Sequence, residues 1–144
     1  MTATTPRILT SPITIVGITN PTVLRYFETL NAGDFEATAN LFADDGVLHA
    51  PFEDPIIGKI SIATYLKKEA RGMQLEPQKG VSQILEDGKV EVQVSGRVQT
   101  SAFGVNVAWL FLLNSDQQIL SVTVKLLASP QELLNMRSHK KFDV

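Results

Sequence analysis

The chain has no cysteine and only two histidines among its 144 residues. Disulfides, thiol nucleophiles and zinc–thiolate sites are excluded together, and a histidine-rich metal centre lacks ligands. Charge is scarce as well: charged residues make up 19%, below the roughly 25% of an ordinary soluble domain. Thirteen Lys and Arg against fifteen Asp and Glu leave a formal charge of −2, so no basic field draws phosphate backbones from a distance. Nucleic acid is not expected as a partner. Long hydrophobic runs are also missing. Residues 105–113 fall well short of the ~18 apolar residues that span a bilayer, and residues 13–18 lack the small-x-small pattern of a cleaved secretory signal. A cytoplasmic protein is expected. Phosphate loops, dinucleotide fingerprints, His-Glu-x-x-His and Gly-x-Ser-x-Gly are all absent, which leaves nucleotide cofactors, zinc peptidase chemistry and the usual esterase arrangement without support.

What is present is 44% hydrophobic residues in a length that suits one domain, enough to bury roughly 68–70% of the unfolded surface. Residues 1–19, rich in Thr, Ser and Pro, read as an N-terminal arm that ends in a short strand near 13–16 and is free to dock on a sheet. Asn20 is a good N-cap with Pro21 in the first helical position, and Val23, Leu24, Phe27 and Leu30 follow at helical spacing. Asn31, Ala32 and Gly33 close that helix. Asp34 caps a second helix, whose buried side is Phe35, Thr38 or Ala39, and Phe42. Asp44, Asp45 and Gly46 form a turn into a strand at 47–49. Residues 58–72 make an amphipathic helix with Ile60, Ile62, Ala63, Leu66 and Ala70 inward and Lys67, Lys68 and Arg71 outward.

From Val81 the pattern becomes extended: strands at 81–85, 89–100, 105–113 and 119–127, with an Asp87-Gly88 hairpin signal. A short helix at 131–136 follows, then a polar tail at 137–144. The domain proper is residues 20–136. This order predicts an α+β fold, a curved antiparallel sheet with helices on one side around an apolar pocket. Gly96, inside a strand, marks a bend or bulge.

Candidate chemistry is thin. His49 near Asp45 and Glu53 has the composition of a proton-transfer pair, but these residues, like Asp44 and Asp54, also suit turns and helix ends. His139 sits in a basic tail. No catalytic residue and no metal ligand is assigned. The informative side chains are amphipathic aromatics. Tyr26 lies among Leu24, Phe27 and Leu30, and Trp109 lies in a nearly unbroken apolar strand. Their O–H and N–H serve either ordinary core packing with backbone acceptors or a carbonyl oxygen of a lipophilic ligand.

Several ordered blocks carry a resemblance: TVLRYFETLN at 22–31, DFE at 34–36, LFA at 41–43, PFEDPIIG at 51–58, GRVQT at 96–100, NVAWLFLLN at 106–114 and LLASPQELLN at 126–135. From about residue 12 to 135 the chain resembles the C-terminal domain of orange carotenoid proteins, and more particularly its stand-alone homologues of cyanobacterial type. The resemblance implies a nuclear-transport-factor-2-like cone. It implies a carrier that binds a ketocarotenoid such as canthaxanthin or echinenone, delivers it to helical carotenoid proteins and quenches singlet oxygen in photoprotection. Tyr26 and Trp109 match the positions that hydrogen-bond the keto oxygen, and Leu30, Leu75, Thr100, Phe103 and Val124 match tunnel positions. Glu69 matches an acidic partner-binding position and is otherwise a solvated helix charge.

Departures from the pattern are Ala102 in place of Trp, a shorter stretch between Gly104 and Trp109, and Lys125 in place of an acid. A domain of this length has a radius of gyration of about 14–15 Å, so a long polyene would protrude from it. A homodimer sharing one carotenoid is expected, with transient contact to photosynthetic membranes for loading. Two other readings use the same fold: a ketosteroid-isomerase-like or dehydratase-like enzyme with Tyr26 polarising a carbonyl, and a protein-binding module without a ligand.

Overall fold

The structure is a computed structural model that describes residues 12–127. The expected helix at 131–136, the tail and the start of the arm lie outside the described residues. The elements run α1 (Pro21–Asn31), α2 (Phe35–Ala39), β1 (Phe42–His49), β2 (Ile56–Ile57), α3 (Lys59–Glu69), β3 (Gln74–Ile84), β4 (Val90–Gln99), β5 (Gly104–Leu113) and β6 (Ile119–Leu127). One six-stranded sheet has the order β2-β1-β6-β5-β4-β3. Among the described residues no helix is long and apolar enough to cross a membrane.

Helix α1 starts as its sequence dictates. The Asn20 side chain accepts from the Val23 N–H at 3.1 Å, satisfying one of the free amides of the first turn, and Pro21 needs no acceptor there. Its buried side is Val23, Tyr26, Phe27 and Leu30. Strands β4 and β5 alternate as expected, with Val92, Val94 and Val98 and then Val107, Trp109, Phe111 and Leu113 buried. These rows, with Ile119 and Val122 of β6, meet α1 to form the core.

Several expectations are corrected. The sheet is mixed, because β1 lies parallel to β6 while the other pairings are antiparallel. The hairpin turn fixes the direction of β6 against β5, whereas β1 reaches β6 across more than 70 residues of chain, a pairing no local pattern encodes. Next, Phe42 opens β1 instead of finishing α2, and residues 44–46 lie within the strand. The register shifts between Phe42 and Val47, so the chain bulges there. Gly46 permits the bulge, since a Cβ would meet the Ile119 carbonyl oxygen at 2.9 Å and the Phe42 Cβ at 3.0 Å. Third, β3 begins at Gln74, seven residues before the hydrophobic alternation becomes visible. Its Pro77 sits at a register shift opposite Gly96, and a Cβ on Gly96 would collide with the Glu76 carbonyl and the Pro77 Cα. The bulge expected at Gly96 is therefore on its partner strand. In α3, Ile60 is exposed rather than inward, because the buried stripe is Ile62, Ala63 and Leu66.

The end of the arm docks on the sheet. Val16 donates to the Gln78 carbonyl at 3.1 Å and accepts from Gly80 at 2.9 Å, while Ile15 and Ile18 are buried in the core. The other end of α1 is held differently. Asn31 donates to the Leu75 carbonyl at 2.9 Å and accepts the Leu75 N–H at 2.7 Å, a two-bond clamp between the helix C-terminus and the start of β3.

Asn31→Ala removes both bonds and leaves a part-buried backbone N–H and C=O without partners. It should lower the unfolding free energy by about 1–3 kcal/mol in urea titration. Asn31→Asp, which keeps the acceptor, should lose less; equal stability of all three proteins would refute the clamp.

Candidate ligand-binding cavity

Helices α1 and α3 and the sheet enclose a cavity of about 110 Å³. Tyr26 and Leu30 reach it from α1, four residues apart and thus on one helical face. Trp109 reaches it from β5, in register between Val94 on β4 and Val124 on β6, and Val124 also lines the wall. Leu75, placed by the Asn31 clamp, Leu48 of β1 and Val98 of β4 complete the interior. The half-buried or exposed wall residues define the mouth: Ala50 and Pro51 after β1, Tyr65 and Glu69 of α3, and Met73.

The aromatic donors are fixed by edge-on packing. Tyr26 meets Phe111 at 5.0 Å and 88° and Phe27 at 5.3 Å and 86°, and Trp109 meets Phe27 at 4.8 Å and 84°. Tyr26 is 2% exposed and Trp109 1%. Among the described residues neither the Tyr26 hydroxyl nor the Trp109 indole N–H has a protein hydrogen-bond partner, yet no sealed side-chain N or O is left unpaired. Both side chains line the cavity. Burial pushes the Tyr26 hydroxyl far above the usual phenol range, and the neighbouring Tyr65 adds to the rise. Tyr26 is thus a neutral donor at physiological pH, and Trp109 can only donate. Tyr65 at the mouth is raised too, first by burial, then by the carboxylates of Glu53 and Glu69.

Of the residues singled out from the sequence, Tyr26, Leu30, Leu75, Trp109, Val124 and Glu69 come together around this one cavity. Thr100 and Phe103 do not line it. They form the β4–β5 turn: the Thr100 hydroxyl donates to the Phe103 carbonyl at 2.9 Å and accepts the Phe103 N–H at 3.1 Å, and Phe103 is 59% exposed. Ala102 is exposed in the same turn. His49 is half-buried at the end of β1, Asp45 is exposed in the bulge, and neither walls the cavity. Tyr65 was missed by sequence reasoning. Its signal was available, since it lies next to Leu66 and three residues after Ile62, which puts a second phenol at the edge of the buried stripe of α3.

The nuclear transport factor 2 (NTF2) domain matches residues 18–126. The chain is 45% identical over 128 residues to the orange carotenoid-binding protein of Limnospira maxima and 45% identical over 127 residues to that of Synechocystis. These alignments take in 86% and 85% of the chain, which spans 40% of the length of either relative. The orange carotenoid protein of Anabaena (Nostoc) sp. PCC 7120, solved binding canthaxanthin, superposes with a TM-score of 0.82 at 45% identity, over 89% of this chain and 42% of that one.

A buried phenol whose proton is held tightly makes stability depend on alkaline pH. The folded form keeps the Tyr26 proton above pH 10, where the unfolded chain releases it, so the stabilisation is whole below pH 10 and is lost as the pH rises further. Urea midpoints should be flat to about pH 10 and then fall, and Tyr26→Phe should remove most of that alkaline decline. A decline identical in Tyr26→Phe would show that other groups cause it.

Proposed function

The chain belongs to the NTF2 domain family, and from that premise we propose that it is a ketocarotenoid-binding carrier, taking canthaxanthin or echinenone with the keto ring innermost. The observation that carries the proposal is that two donor side chains, Tyr26 and Trp109, line one largely apolar cavity. A keto oxygen is an acceptor without a proton or a formal charge. It satisfies two donors that have no acceptor among the described residues, and it brings no ion into a low-dielectric site where an unpaired charge is costly. The 45% identity to carotenoid-binding relatives across most of the chain supports the same ligand class.

Size sets the mode of binding. An engineered cavity of about 150 Å³ holds benzene, so one of about 110 Å³ receives a ring-sized group at most without opening further. The conjugated chain then leaves through the mouth. In the proposed assembly a second copy covers it, giving a homodimer on a two-fold axis with one shared carotenoid. The same exposed end lets the cargo pass to a helical carotenoid protein or be taken from a photosynthetic membrane, with singlet-oxygen quenching as the activity of the loaded protein. Glu69, an exposed carboxylate on the cavity wall, is the residue proposed to meet a basic group of such a partner.

Co-expression with ketocarotenoid synthesis should yield a coloured protein, and a colourless product would overturn the proposal. Tyr26→Phe and Trp109→Phe should each shift the visible band and weaken retention by about 1–3 kcal/mol. Pigmented protein should sediment as a dimer at micromolar concentration; a pigmented monomer would refute the shared-ligand assembly while leaving binding intact.

A further inference from the structure

The loop after β1 carries a residue that its backbone does not favour. The Glu53 N–H donates to the Ala50 carbonyl at 3.3 Å and closes a turn with Pro51 and Phe52 at its centre. Phe52 has φ 65. Proline first and a positive φ second is the pattern of a type II turn, whose second centre position calls for glycine or asparagine. A bulky side chain there is a genuine outlier. Packing does not explain it, because Phe52 is 95% exposed. A chain that required only the turn would do better with glycine, so the ring's use lies outside the folded protein.

Its location says what that use is. Ala50 and Pro51, the two residues before it, form part of the cavity wall, and Glu53, the residue after it, is near enough to Tyr65, another wall residue, for its carboxylate to help raise that phenol. Any ligand longer than the ring-sized interior passes this loop on its way out. We propose that Phe52 is a lip residue that lays its ring on the protruding conjugated chain of the bound ligand and slows its escape. The left-handed backbone presents the ring to solvent, where it is free to make that contact. This inference rests on the carrier function proposed above.

The test compares wild type, Phe52→Gly and Phe52→Trp, each loaded with canthaxanthin, by the rate at which pigment transfers to phosphatidylcholine vesicles. Phe52→Gly relieves the backbone and should raise the melting temperature of the empty protein, yet release pigment about tenfold faster or more, the scale set by one aromatic ring's burial. Phe52→Trp keeps an aromatic face and should release at close to the wild-type rate. Equal release from wild type and Phe52→Gly overturns the lip. So does a change confined to the self-association of the empty protein, which would assign the ring to a contact between copies. Wild type that binds no canthaxanthin overturns the carrier function itself, whatever the variants do.

Discussion

The edge-on contact between Phe27 and Trp109, 4.8 Å between ring centroids, fixes α1 to the middle of the sheet. Both side chains are almost wholly buried, and burying one such ring contributes about 1.5–3 kcal/mol before any aromatic geometry is counted. Successive helical residues are separated by about 100°, so once Phe27 points into the sheet, Tyr26 must lie to one side of it. That side is the cavity. Leu30, one turn on from Tyr26, follows it there, and Asn31 then reaches Leu75 and closes the far wall. One contact thus orients the donor, the apolar lining and the edge strand together.

The cavity that results is chemically quiet. Tyr26 and Trp109 bring it hydrogen-bond donors, burial keeps the Tyr26 proton in place, and the one carboxylate on its walls among the described residues, Glu69, stands at the exposed mouth. General acid–base chemistry calls for a titratable group within hydrogen-bond reach of the reacting atom. His49 and Asp45, the residues with the right composition, lie on a strand end and in a bulge away from the walls.

Hydrophobic alternation located β4, β5 and β6 within a residue or so, because those strands pack one face on the core and repeat every second residue. Capping chemistry located α1 for an equally local reason. Strand β3 was legible only in its second half. Gln74, Glu76 and Pro77 show no alternation, and the strand there is held by pairing to β4 and by the Asn31 clamp. Thr100 and Phe103 were placed on the cavity by family resemblance, whereas the hydrogen bonds of their own turn keep them at the end of the hairpin. Tyr65 became a mouth residue only when α3 met the loop carrying Glu53.

By itself the sequence determined α1, the strands β4 to β6, the identity of the two buried donors, and the want of reactive groups. All of these depend on residue type and near-neighbour spacing. Only the tertiary structure decided that β1 runs parallel to β6, that residues 44–46 are a bulge rather than a turn, and that Tyr26 and Trp109 line one shared space. It also decided how large that space is. Those outcomes depend on contacts between residues far apart in the chain, where register and volume are settled by packing and leave no periodic trace.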